Sequence, residues 1–207
     1  MHPAVFVVDD DIIIREALTA LLENEGLNVQ ACASADDFLA SYQPGSPGCL
    51  LLDIDMPGID GLELQDYLLN SGFNIPIIFL TGQANVPKTI QAFRNKAFDF
   101  LEKPASDKVL LEAIHRAFAK QVADRAEQEK RVSVEERIQR LTPREKDVFV
   151  LVVSGYSNKQ IGEELDISSR TVEGHRRRVY EKMEAESFAI LIEMAYVAGL
   201  LDADNKI

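Results

Sequence analysis

Residues 5–11 read Val5-Phe6-Val7-Val8-Asp9-Asp10-Asp11. A short apolar run stops abruptly at three carboxylates, the pattern of a buried strand whose end opens into polar surroundings. Four similar runs follow, at residues 29–32, 49–52, 75–80 and 98–101. Helical periodicity separates them: Ile14, Leu18, Leu21 and Leu22; Phe38 and Leu39; Leu62, Leu64, Leu68 and Leu69; Ile90 and Phe93. A last helix carries Val109, Leu110, Ile114 and Phe118. Five β-α units predict a parallel sheet covered by helices on both faces. Right-handed crossovers then bring the C-terminal strand ends to one edge, where such sheets bind ligands.

The residues at those ends carry chemistry. Asp9, Asp10 and Asp11 follow the first run, Asp53 closes Leu50-Leu51-Leu52-Asp53, Thr81-Gly82 follows the fourth run and Lys103-Pro104 the fifth. Singly, each has a bland explanation: Asp caps a helix, and Thr-Gly or Lys-Pro makes a turn. Together, in order, at successive strand ends, they predict one crevice. Gathered carboxylates repel unless a cation joins them, and hard Mg²⁺ (or Mn²⁺ in its place) accepts such oxygen ligands. A carboxylate there can attack phosphorus and form an acyl phosphate. The Lys103 ammonium and the Thr81 hydroxyl would neutralise the transferred group.

The 207 residues carry a formal charge of −12, with 46% hydrophobic and 27% charged residues. This is ordinary for a folded soluble protein of one or two domains. No apolar run approaches the roughly 18 residues of a membrane span, so no membrane partner is expected. The stretch from Met1 to Asp9 does not read as a signal peptide. Cys32 and Cys49 make neither a disulfide framework nor a four-ligand zinc site, and a cytoplasmic setting is expected. An acidic total argues against nucleic acid, but the acid is unevenly spread. Residues 1–120 hold 8 basic and 17 acidic residues, residues 121–140 hold 5 and 5, and residues 141–207 hold 9 and 12.

The sequence therefore divides into an α/β domain, 1–120, a helical linker, 121–140, and an all-α domain, 141–207. The linker lacks Gly and Pro and alternates charges, as a solvated helix does. In the third part, Thr142-Pro143-Arg144-Glu145 is a capping box with Pro at the first helical position. It opens a helix with Val148, Leu151 and Val152 at core spacing. A second helix begins at Ser157, Asp166-Ile167-Ser168 makes a turn, and a third helix runs to about Met183. Two short helices with a tight turn, the second rich in Arg, form a helix-turn-helix pattern. On the third helix Val172, Val179 and Met183 share one face, while Arg170, Gly174, Arg177 and Glu181 lie opposite. Residues 170–182 hold five basic and two acidic residues, a locally positive surface suited to phosphates. The last helix, from Ser187 to about Ala198, presents Ile190, Leu191, Met194, Ala195 and Val197 as a core or dimer face.

Residues 1–120 resemble the receiver domain of two-component response regulators. The resemblance rests on Val8-Asp9-Asp10-Asp11, on Asp53-Ile54-Asp55-Met56-Pro57-Gly58-Ile59-Asp60-Gly61, on Thr81-Gly82 and on Asp99-Phe100-Leu101-Glu102-Lys103-Pro104. It implies a flavodoxin-like sheet of order 2-1-3-4-5 and a Lys-Pro bond that is often cis. It implies Asp53 as phospho-acceptor, and Asp10 and Asp53 as Mg²⁺ ligands, with Asp9 assisting and the Asp55 carbonyl completing the site. Thr81 would sense the phosphoryl group, Phe100 would be the switching aromatic and Lys103 would pair with the phosphate. Three departures touch the helix before the fifth strand and its flanks. Ala105 replaces a usual Phe, Lys96 a usual Gly, and Gln83-Ala84-Asn85 a usual His-Gly-Asp. Asp55 adds a carboxylate beside the site and is expected to alter the phosphoryl lifetime.

Residues 141–198 resemble the LuxR/FixJ-type effector domain of the NarL/FixJ family, a four-helix module. The matching residues are Leu141-Thr142-Pro143-Arg144-Glu145, Gly155-Tyr156-Ser157-Asn158-Lys159-Gln160-Ile161-Gly162 and Ser168-Ser169-Arg170-Thr171-Val172-Glu173-Gly174-His175. The resemblance implies groove contacts from Glu173, Gly174 and Arg177, with Arg177 as base reader. Lys159, Thr171, Arg176 and Arg178 suit phosphates, Arg170 lies on the same exposed face, and His175 suits helix packing or a phosphate. Gly174 stands where Val is usual. The implied function is a transcription factor whose Asp53 is phosphorylated by a sensor histidine kinase. Its partners are operator double-stranded DNA, RNA polymerase and, on activation, a second copy dimerising through receiver or effector. A haloacid-dehalogenase-type phosphatase is the enzymatic alternative, with Asp53 as nucleophile and Asp55 as acid/base. Against it, Pro57 stands where Thr or Val is expected, and no acidic pair follows a later strand. A receiver used only for protein interaction is disfavoured by the complete Asp, Thr and Lys set.

Overall fold

The computed structural model describes residues 3–82, 95 and 97–201. The helix predicted around Ile90 and Phe93, the triplet Gln83-Ala84-Asn85 and Lys96 lie outside the described residues. The chain forms two compact units, divided after Asp124.

In the first unit, β1 (Ala4–Val8), β2 (Asn28–Cys32), β3 (Gly48–Asp53), β4 (Ile77–Thr81) and β5 (Asp99–Glu102) pair in parallel in the order β2-β1-β3-β4-β5. Helices α1 (Ile12–Asn24), α2 (Ala35–Ser41) and α3 (Gly61–Asn70) connect the first four strands. Side chains alternate across each strand. Phe6, Val8, Leu50, Leu52, Ile77 and Phe79 therefore join Phe38, Leu64 and Leu68 of α2 and α3 in one core layer. Val5, Val7, Cys49, Leu51, Ile78 and Leu80 face the other way, onto Leu22 of α1 and onto Leu110, Ala113 and Ile114 of α4 (Asp107–Gln139). Strands buried on both faces read as unbroken apolar runs, which is why the sequence signal was strong.

The β4 run starts later than the sequence predicted. Pro76 has no N–H to donate, and its carbonyl accepts from Leu50 N at 2.9 Å before the strand begins at Ile77. Two glycines are steric requirements: a Cβ on Gly48 would lie 2.0 Å from the Ala4 carbonyl oxygen, and one on Gly61 would lie 2.3 Å from that of Asp53.

The second unit contains the end of α4 together with α5 (Pro143–Val153), α6 (Asn158–Leu165), α7 (Ser169–Met183) and α8 (Phe188–Val197). Thr142 and Glu145 form the predicted capping box, and Ser157 with Gln160 forms a second one. Val148, Phe149, Val152, Ile161, Val172, Val179, Met183 and Leu191 build one core. Phe149 takes the buried place that spacing had given to Leu151, which is only half-buried. Residues 121–140 were expected to form a solvated helical linker; within it Val134 is 3% exposed and packs with Ile138 and Leu141 in this core. The α6–α7 turn is tight: Asp166 adopts φ 52°, and a Cβ on Gly162 would sit 2.7 Å from the Ile167 carbonyl oxygen. Among the described residues no helix is long and apolar enough to cross a membrane.

Candidate functional sites

Register brings the strand-end residues together. Val8 pairs with Leu52, so Asp9 and Asp53 emerge side by side, and Asp53 pairs with Leu80, one residue before Thr81. Lys103 N donates to the Thr81 carbonyl at 2.7 Å, which carries β5's end to the same crevice, and the Lys103-Pro104 bond is cis. Carboxylate oxygens of Asp9, Asp10 and Asp53 lie within 4.8 Å of one another. The Lys103 Nζ donates to Asp9 Oδ2 at 2.6 Å and to Asp53 Oδ1 at 2.7 Å.

Asp53 is 7% exposed. Burial raises its pKa and the Asp9 and Asp10 charges add to this, while Lys103 pulls the other way without cancelling it. Burial alone would lower the Lys103 pKa, but its bonds to Asp53 and Asp9 outweigh that and raise it. Thr81 is 2% exposed, and the half-buried Phe100 ring lies 6.1 Å from that of Phe79. Asp55 is exposed beside this cluster.

The loop after β3 is shaped for this site. Gly61 N donates to the Ile54 carbonyl at 3.0 Å, and Asp60 caps α3 in a box with Glu63. Asp11 caps α1 by accepting from Ile13 N at 2.8 Å, leaving Asp9 and Asp10 to the crevice. Arg15 was not anticipated: it donates to the Asp9 carbonyl at 2.6 Å and steadies the turn that carries the acidic pair.

In the second unit Arg170, Thr171, Glu173, Arg177 and Arg178 are exposed on α7, and Lys159 is exposed on α6. Gly174 and His175 are half-buried, and a Cβ on Gly174 would meet nothing within 4 Å. The His175 Nδ1 is buried without a hydrogen-bond partner among the described residues. Arg176, read from sequence as a phosphate contact, is half-buried and donates to Asn158 Oδ1 at 2.8 Å, which ties α7 to α6. Sequence reasoning also missed Glu145, which is 3% exposed and accepts from Lys182 Nζ at 2.6 Å. Its capping role was legible, but its ion pair joins residues 37 positions apart.

The matching family profiles are the response regulator receiver domain, over residues 5–115, and the luxR family of bacterial regulatory proteins, over residues 139–195. The chain belongs to the NarL/FixJ family of response regulators.

Relatives of this regulator match over nearly its full length. Nodulation protein W of Bradyrhizobium diazoefficiens is 40% identical over 196 residues, 95% of this chain and 86% of its own. The transcriptional regulatory protein FixJ of Azorhizobium caulinodans is 40% identical over 201 residues, 97% of this chain and 95% of its own. Among solved structures, the response regulator StyR aligns with a TM-score of 0.82 at 38% identity, covering 95% of this chain and 99% of StyR. Full-length FixJ from B. japonicum aligns at 0.58 and 34% identity, over 97% and 98% of the two chains. The regulator is thus a receiver domain followed by a LuxR-type DNA-binding domain.

Proposed function

We propose that a sensor histidine kinase phosphorylates Asp53 and that this controls transcription by the effector domain. The observation that carries the reading is the Asp53 carboxylate, held by Lys103 at 2.7 Å inside a cluster with Asp9 and Asp10. An Asp53 oxygen attacks the phosphorus of the kinase phosphohistidine, the N–P bond breaks and the imidazole leaves. The acidic oxygen set fits a hard divalent ion, so Asp9, Asp10, Asp53 and the Asp55 carbonyl would hold Mg²⁺ or Mn²⁺. Bound there, the ion supplies charge neutralisation to the phosphoryl oxygens. Lys103 exchanges its carboxylate bond for one to the phosphoryl group, and Thr81 meets that group from β4. Phe100, next to Phe79, responds to Thr81 and reshapes the receiver surface around β5.

On DNA, Glu173, Gly174 and Arg177 face the groove, and Lys159, Thr171, Arg176 and Arg178 meet phosphates. Pairing of two receivers, or of two effectors through α8, places two copies on a two-fold operator and raises affinity through effective concentration. RNA polymerase is the further partner this reading implies. The test is a DNA shift assay with and without acetyl phosphate or beryllofluoride; equal affinity of the phosphorylated protein and Asp53→Ala would overturn the reading. Hydrolysis of small phosphate monoesters with turnover would instead favour a phosphatase.

A further inference from the structure

The C-terminal end of α7 is built against local preference. Glu184 caps the helix in the left-handed region, with φ 53°. Glycine takes such a place readily, whereas a residue with a Cβ is strained there. The Glu184 carboxylate also lies at the negative end of the helix dipole, where a cation is favoured. A strained, electrostatically misplaced residue directs attention to what holds it.

Two arginines hold it. Arg137 Nη2 lies 3.0 Å from Glu184 Oε2, and Arg140 Nη1 lies 3.1 Å from Glu184 Oε1. Arg137 Nη1 also donates to the Met183 carbonyl at 3.1 Å, satisfying one of the helix's last acceptors. Arg137 belongs to the final turn of α4, and Arg140 follows directly. Both lie in the segment through which the chain enters the DNA-binding domain. A single exposed pair of this kind contributes little. Here one carboxylate is shared by two guanidinium groups, one of which also caps the helix.

We infer that Glu184, with Arg137 and Arg140, is a positioning clamp that fixes the recognition helix α7 to the entering segment and so sets its pose in the DNA groove. The inference rests on the reading of α7 as the DNA reader. The contacting residues lie at the far end of α7 from Arg170 and Glu173, so the clamp acts through helix orientation rather than through contact with bases.

The test uses the full-length chain, with and without beryllofluoride. The probe is the duplex that the loaded wild-type chain selects from a random library, beside a non-specific duplex of equal length. Glu184→Gly relieves the left-handed strain, so the second unit should melt at or above the wild-type temperature. Its preference for the selected duplex should nevertheless fall about tenfold, the scale of one lost base contact. Glu184→Gln, whose side-chain oxygen still accepts from Arg137 or Arg140 while Arg137 stays on the Met183 carbonyl, should keep most of that preference. A preference in Glu184→Gly within about twofold of wild type, or an equal loss in Glu184→Gln, overturns the clamp. The underlying readings fail separately. Equal DNA binding by the loaded and unloaded wild type counts against phosphorylation control, and a wild type with no preferred duplex removes the DNA reader and the clamp together.

Discussion

Replacing Lys182 with Met removes the ammonium that faces Glu145 at 2.6 Å and keeps most of the side-chain stem. At that distance the attraction is about 6 kcal/mol for an effective dielectric near 20. Desolvating the carboxylate, which is 3% exposed, offsets most of this. Losing one partner of a fully buried pair costs about 3–5 kcal/mol. The Lys182 side chain is 35% exposed, so solvent already screens the pair, and the Thr142 N–H at 2.9 Å still serves the carboxylate. We therefore expect a loss of about 2 kcal/mol, or roughly thirtyfold faster amide exchange in α5 and α7 of the full chain. Acid dependence adds a signature. Burial alone would raise the Glu145 pKa, but the Lys182 and Thr142 hydrogen bonds outweigh it and hold the carboxyl below its ordinary value. This contribution to stability is complete above the unfolded value of about 4.3 and disappears as pH falls through the lower folded value. In Lys182→Met the acid loss should shrink, because burial then works unopposed by the ammonium. Hydrogen exchange by mass spectrometry from neutral to acid pH measures both effects. Unchanged exchange in α5 and α7 at neutral pH, or an undiminished acid dependence, would refute this account.

Gly61→Ala should disturb the loop after β3, because the new Cβ lies 2.3 Å from the Asp53 carbonyl oxygen; if Asp53 is the acceptor proposed above, radiolabel incorporation from acetyl phosphate should fall with it. Gly174→Ala should stabilise α7 by up to about 1 kcal/mol, since its Cβ meets open space, and thermal melting of the second unit reads this directly. Arg177→Ala should cost about 1–3 kcal/mol and relax selectivity at one base pair, whereas Lys159→Ala should weaken all duplexes alike and flatten the salt dependence. Asp55→Asn should change the lifetime of the acyl phosphate; an unchanged dephosphorylation rate in purified protein would count against a role for that carboxylate.

The receiver sheet was readable because parallel strands buried on both faces leave long apolar runs, and because the acidic cluster and Lys103 sit at their ends. Asp9, Asp53, Thr81 and Lys103 were each legible one residue past a run or within a short turn of it. The packing of the linker helix was less so. The charge alternation through residues 121–140 concealed Val134 and Ile138, whose burial depends on helices that follow in the chain.

Local spacing sufficed for the succession of strands and helices along the chain, the cap at Thr142 and the acidic crevice, because each follows from periodicity or from neighbours a few residues away. Folding in three dimensions assigned the partners. Arg176 met Asn158, Lys182 found Glu145, and Arg137 and Arg140 converged on Glu184. Long charged side chains have many rotamers and many candidate partners along a sequence. Only the packing of helices decides which opposite charge lies within about 3 Å.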